Sequence, residues 1–313
     1  MAAPPSSATG SSPPAAPLQL LRWRARTQVF VERTGGLEMP MVRIPAGSFA
    51  MGSPEGEEGR SEREGPQHEV KLGEFLMGRT PITQAQWRAV AQWEPREGER
   101  WERELNLNPS RFQPGGDTRL LKDDAFTDDR PVEQVSWHDA MEFCGRLSQR
   151  TGRHYILPSE AQWEYACRGG TTTPFAFGES LSDELANYDA RTSYGSGMGG
   201  RYRQQTTTVE RFPANALGLQ GMHGNVWEWC LDHWHDSYEG APTDGSAWLN
   251  STETNNSEMA KGEIETRLLR GGSWNGYPRS CRSAYRGHER PVGAGYSIGF
   301  RVVCLPQSPS LNP

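Results

Sequence analysis

Apolar residues along this chain come in short bursts separated by long polar stretches. Val42-Arg43-Ile44-Pro45-Ala46-Gly47-Ser48-Phe49-Ala50-Met51-Gly52 alternates apolar with small residues, which predicts strand, turn and strand. His68-Glu69-Val70-Lys71-Leu72 and Phe75-Leu76-Met77 predict further strands, and ordered chain is expected to begin within residues 18–30. Three helices are signalled by capping boxes, in which a Ser or Thr side chain and a side chain three residues later satisfy each other's backbone N–H groups. Thr83-x-x-Gln86 opens a helix carrying Trp87 and Val90. Ser136-x-x-Asp139 opens one with Ala140, Phe143, Cys144 and Leu147 on one face. Ser159-x-x-Gln162 opens a third with Trp163, Ala166 and Cys167.

The polar stretches set the layout. Residues 1–17 are Ala, Pro, Ser and Gly with almost nothing to bury, which predicts a disordered tail. Residues 53–66 predict a charged loop, 94–129 an insertion, and 169–215 and 236–266 further irregular chain. The expected organisation is the tail over 1–17, a lead-in over 18–37, one domain over 38–305 and a short tail over 306–313.

Composition changes this picture in three ways. Hydrophobic residues are only 35%, but 11 Trp, 9 Tyr and 10 Phe compensate, because each buried ring removes a large area from water. The net charge of −6 argues against a nucleic-acid surface, which needs clustered Lys and Arg. No apolar run approaches the ~20 residues of a membrane helix, and no secretory leader or lipidation motif is evident. The five cysteines are widely spaced, with no C-x-x-C, and predict free thiols in a cytoplasmic protein.

One segment breaks the pattern of core and connection. Between Arg270-Gly271-Gly272-Ser273-Trp274 and Ile298-Gly299-Phe300-Arg301, residues 275–297 are rich in Gly, Arg, Tyr and Ser. They hold no Lys, Gln, Met or Trp and show no apolar period. A segment that cannot bury an apolar face is a surface loop, yet both its ends read as core. That arrangement points to display and binding.

Several motifs, taken together and in order, resemble the formylglycine-generating enzyme family, also called sulfatase-modifying factors. They are Ile44-Pro45-Ala46-Gly47-Ser48-Phe49-Ala50-Met51-Gly52, then Pro131-Val132-x-x-Val135-Ser136-Trp137-x-Asp139-Ala140, then Leu157-Pro158-Ser159-Glu160-Ala161-Gln162-Trp163-Glu164-Tyr165-Ala166. Gly224-Asn225-Val226-Trp227-Glu228-Trp229 and Arg270-Gly271-Gly272-Ser273-Trp274 with Gly299-Phe300-Arg301 complete them. The resemblance implies an α+β fold, a variant of the C-type lectin fold with much irregular structure. In that role Trp163, Trp227, Trp229 and Trp274 are expected as core tie points. Arg270 and Arg301 are expected to offer forked donors to carboxylates such as Glu160, Glu164 and Glu228.

The family's oxidase chemistry uses a copper-binding cysteine pair just after the Gly-Gly-Ser motif. Here Gly276 stands near the first position and only Cys281 near the second, so one thiolate replaces two. No catalytic residue is assigned, and the chain is expected not to be an enzyme; a metal-dependent oxidase acting on a thiol or protein cysteine is the alternative. The iron-ligand set of a second branch, His-x-x-x-His-x-Glu, is absent. His233-Trp234-His235, flanked by Asp232 and Asp236, is the only close His pair. The family also carries structural calcium, for which Glu228 and Asn187 are the candidates here. Gly221 stands where an oxygen side chain is expected, and calcium takes six or more oxygens. No cofactor is therefore assigned, with calcium left open.

Some members of this family are the variable proteins of diversity-generating retroelements, in which template Asn codons become many other residues. The segment resembles such a product. Arg270 to Asn275, Pro278, Cys281-Arg282-Ser283-Ala284, Arg286, Pro291 and Ile298 to Arg301 form the expected fixed frame. The expected changeable, ligand-binding positions are Gly276, Tyr277, Arg279, Ser280, Tyr285, Gly287, His288, Arg290, Val292, Gly293, Gly295, Tyr296 and Ser297. Each is reachable from an Asn codon; Glu289 is not. Tyr, Arg, Ser and Gly together suit recognition, supplying rigid amphipathic area and adaptable polar contacts. The expected partner is a protein or other macromolecule, not nucleic acid and not a membrane. An inactive homologue serving as a docking module is the remaining alternative.

Overall fold

The computed structural model describes Arg24 and residues 26–116, 126–250 and 265–306. The 1–17 tail, the outer part of the 18–37 lead-in and nearly all of the 306–313 tail lie outside the described residues. Among the described residues, eleven strands form three sheets, with three α-helices packed among them. None of the described helices is long and apolar enough to cross a membrane.

The largest sheet is built from chain ends as much as from neighbours. β1 (Val29–Thr34) pairs antiparallel with β2 (Leu37–Ile44) over six residues, so the described part of the lead-in is a sheet strand. β2 continues to β5 (Phe75–Gly78), then to β11 (Val303–Leu305) and β6 (His154–Ile156), all antiparallel. β11 thus lies between β5 and β6, with Val303 opposite both Met77 and Ile156. β3 (Gly47–Met51) and β4 (His68–Leu72) form a separate hairpin, with the charged 53–66 loop between them.

All three capping boxes form as the sequence predicts. They open α1 (Gln84–Ala91) at Thr83, α2 (Trp137–Thr151) at Ser136 and α3 (Glu160–Arg168) at Ser159. The helices turn Trp87, Phe143 and Trp163 into the interior. Trp87 stacks on Phe143, and Phe300 meets both rings edge-on. Trp163 packs in a second core with Met77, Met222 and Val303. Residues 94–116, 126–129 and 169–215 are largely turns, bends and irregular chain, as their composition predicts.

The third sheet holds the region of interest. Its order is β10 (Ile298–Gly299), β7 (Trp227–His233), β8 (Arg267–Arg270), β9 (Gly287–Glu289). Residues 271–297 leave the end of β8, supply β9, and return as β10 on the far side of β7. Glu228 of β7 stands opposite Arg270 on one side and Gly299 on the other.

Candidate functional site

The segment begins with a backbone turn that requires glycine. Gly271 and Gly272 have φ of 96° and 71°. A Cβ on Gly272 would sit 2.7 Å from Cys281 Sγ and 2.8 Å from Ser280 O. The turn therefore folds the chain back on itself and brings Pro278–Cys281, a short 3-10 turn, beneath it.

Four arginines of the frame then point inward, each to a carboxylate far away in sequence. Arg270 binds Glu164 and donates to the Tyr285 carbonyl. Arg282 contacts Glu64 through two nitrogens and Glu57 through one, at 2.7, 2.7 and 2.5 Å. Arg286 forks onto Glu160 at 2.7 and 3.0 Å, and Arg301 forks onto Glu228 at 2.5 and 2.7 Å. All four guanidinium groups are buried. Burial alone would raise the Glu160 carboxyl, but Arg286 and Arg270 hold it below the usual carboxylate range. Burial likewise opposes the charge on Arg282, and Glu64 and Glu57 more than offset it. Ser283 and Ala284 between them are buried as well.

The positions between these anchors face outward. Tyr277, Arg279, His288, Arg290, Val292 and Tyr296 are exposed, Tyr277 by 53% and Val292 by 69%. Gly276, Tyr285, Gly287, Gly293, Gly295 and Ser297 are half-buried. The outer rings connect through neighbours. Tyr285 leans on Trp227 at 5.9 Å, the Trp227 N–H donates to Ser297 O, and Tyr296 lies 5.8 Å from Trp274. His288 packs on Trp234 at 4.3 Å.

Several expectations need correction. Ser280 is only 7% exposed; its Oγ donates to Tyr277 O at 2.7 Å, so it belongs to the buried 3-10 turn. Trp163, Trp229 and Trp274 are buried, but Trp227 is only half-buried, because it stands at the surface under Tyr285 and Gly287. His233 and His235 do not converge. His233 bonds Glu265 and accepts from Asn250 N–H, while His235 stacks flat on Trp248 at 3.7 Å.

Both calcium candidates make hydrogen bonds within the protein. Both Glu228 oxygens are held by Arg301, and one also accepts from Trp163 Nε1 at 2.8 Å. The Asn187 carbonyl accepts from Asn225 N–H at 2.8 Å and its Nδ2 donates to Asn225 and Gln205. Its Oδ1 is buried without a hydrogen-bond partner. Cys281 Sγ is buried against Gly272, burial pushes its thiol up to about 12, and no sulfur stands at Gly276.

Sequence reasoning missed two contributors. Arg111 lies over the Tyr296 ring at 4.8 Å, and Tyr202 stacks on Trp274 at 6.1 Å. Both come from irregular stretches with no period to mark them.

The sulfatase-modifying factor enzyme 1-like domain family matches residues 27–305. The chain belongs to that family. It is 30% identical over 317 residues to the formylglycine-generating enzyme of Mycobacterium tuberculosis, covering 86% of this chain and 98% of that one. It is also 30% identical over 266 residues to the serine/threonine-protein kinase pkn1 of Chlamydia caviae, and there it spans only 37% of the relative's length. Among solved structures, PvdO from Pseudomonas aeruginosa shares 32% identity at a TM-score of 0.68, covering 90% of this chain and 99% of that one. Treponema denticola variable protein 1 superposes with a TM-score of 0.64 at 23% identity, over 89% of this chain and 99% of that one. The family fold, a formylglycine-generating-enzyme-like variant of the C-type lectin fold with few helices and much irregular chain, is the fold of this protein.

Proposed function

We propose that this family member is a non-catalytic binding protein, and that residues 275–297 form a diversified surface for a protein or other macromolecular ligand. The carrying observation is the sorting of side chains along one irregular segment. Arg282, Ser283, Ala284 and Arg286 are buried, while Tyr277 and Arg279 before them and His288, Arg290 and Val292 after them face solvent. A surface that changes must leave folding alone, and substitutions at exposed positions change stability by only ~0.5 kcal/mol. Rigid support from the buried arginine pairs keeps such a surface in place. The five buried free thiols favour a reducing compartment, and we assign the chain to the cytoplasm.

The test is a displayed library randomised at positions 277, 279, 285, 288, 290, 292 and 296, selected against several unrelated proteins. Specific binders to different targets are the expected outcome. Failure to obtain any binder from a well-folded library would refute the reading.

The identity to formylglycine-generating enzyme favours one rival, a metal-dependent oxidase acting on a thiol or protein cysteine. Incubation with Cu(I), oxygen and cysteine-containing peptides separates the two. The binding reading predicts no stoichiometric copper binding and no aldehyde.

A further inference from the structure

We propose that the 53–66 loop and the chain at 237–239 form a binding site for a small aliphatic diamine. The site is an open pocket of about 450 Å³, and its lining includes Ser53, Glu55, Arg60, Glu62, Gln67 and Glu239. None of residues 275–297 lines it. Backbone hydrogen bonds join its walls. Tyr238 N–H donates to Gly65 O at 2.8 Å, and Ser53 N–H donates to Glu64 O at 3.1 Å. Glu64 in turn holds the buried Arg282, so the pocket is formed before any ligand arrives.

The lining offers acceptors and negative charge. Glu55, Glu62 and Glu239 are exposed and make no ion pair among the described residues. Arg60 is the one guanidinium of the lining, and its Nε donates to Ser53 O at 3.3 Å. Three carboxylates against one guanidinium leave negative charge in excess. An ionised carboxylate only accepts hydrogen bonds. Gln67 Nε2 donates to Gly52 O at 3.1 Å, which leaves the amide oxygen as its free end. Ser53 points to a ligand as well. It lines the pocket, is only 1% exposed, and its Oγ has no hydrogen-bond partner. A buried hydroxyl left unpaired is unfavourable, and rotation about its Cα–Cβ bond presents it to a bound donor. Acceptors and negative charge together select a ligand with N–H donors and positive charge. Two ammonium groups match the excess charge, and the methylenes between them find Pro54 and Pro66 in the same lining. A bare metal ion would fill little of this volume and would gain nothing from the prolines.

Isothermal titration calorimetry of the full chain at low salt tests this, with putrescine, butylamine, butanediol and Mg²⁺ as probes. Putrescine is expected to bind at a single site, more tightly than butylamine, and to weaken as salt rises; butanediol should not bind. The double variant E62Q/E239Q should weaken putrescine ~10-fold with the melting temperature unchanged, because both side chains are exposed. Ser53→Ala should also weaken putrescine, although the free protein melts no lower than the parent; a Ser53 with a structural role alone would leave binding untouched. Glu184→Gln, exposed and outside the lining, should change nothing. No saturable putrescine binding, equal binding of butylamine or Mg²⁺, or parent-like binding by either E62Q/E239Q or Ser53→Ala would overturn the proposal.

Discussion

Arg282 places its two terminal nitrogens on the two carboxylate oxygens of Glu64, both at 2.7 Å, across 218 positions of sequence. Neither side chain is exposed. The pair ties the most variable-looking segment of the chain to the loop between β3 and β4. Arg282→Ala would leave Glu64 and Glu57 buried without their cation, and is predicted to cost ~3–5 kcal/mol in urea unfolding. Arg282→Lys should recover only part of this, because an ammonium cannot fork onto both oxygens.

The outward positions should behave in the opposite way. Replacing Tyr277, Arg279, Arg290 and Val292 together by Ser is predicted to leave the melting temperature close to that of the parent, each change being worth ~0.5 kcal/mol or less. Tyr285→Ser and Tyr296→Ser should cost more, about 1 kcal/mol each, because those rings lean on Trp227 and Trp274.

Glu133 sets a pH dependence. Its Oε1 accepts from Phe112 N–H at 2.9 Å, and its Oε2 is buried without a partner. Burial pushes the carboxyl up to about 7, against the opposing Phe112 hydrogen bond, from an ordinary value of 4.5. Between those values the native protein keeps a proton that the unfolded chain has released, so stability falls as pH rises through the window. Glu133→Gln removes this dependence. Its melting temperature should match the parent near pH 4.5 and exceed it above pH 7, by the equivalent of about 3 kcal/mol. Equal melting temperatures at pH 8 would show that the carboxyl ionises freely.

Thiol accessibility gives a fourth check. All five cysteines are buried, and burial holds the Cys167 and Cys281 thiols up to about 12. A thiol-reactive dye should label none in the native protein and all five after denaturation. Rapid native labelling at Cys281 would reveal an accessible thiolate and favour the oxidase alternative.

What the sequence made legible was local or depended on residue type. The capping boxes at Thr83, Ser136 and Ser159 could be read because each involves partners three residues apart. The pairing of Arg270 and Arg301 with carboxylates could be anticipated in kind, since buried guanidinium groups need anions. That Arg282 reaches Glu64, and Arg286 Glu160, could not, because nothing local joins them. β1 was missed as a sheet strand because its pairing depends on β2 and its alternation is short. Trp227 was expected in the core on size alone, but its place at the surface is set by Tyr285 and Gly287, which arrive from the end of the chain. Glu228 was read as a calcium candidate from its motif, which does not show that Arg301, 73 residues away, takes both its oxygens, or that Trp163, 65 residues away, donates to one of them. Arg111 and Tyr202 carried no signal, because irregular segments have no period to show which side chains face the same way.

The central claim, that the outward positions of residues 275–297 are diversified while the buried frame is kept, is tested most directly by sequencing the DNA around the gene. The expected result is a near-copy of the codons for 270–303 beside a reverse transcriptase gene. Its differences from the coding copy should fall at template adenines in the codons of outward positions such as Tyr277, Arg279, His288, Arg290 and Val292. Absence of any such copy from the source genome, or differences falling at Arg282, Ser283, Ala284 and Arg286, would contradict it.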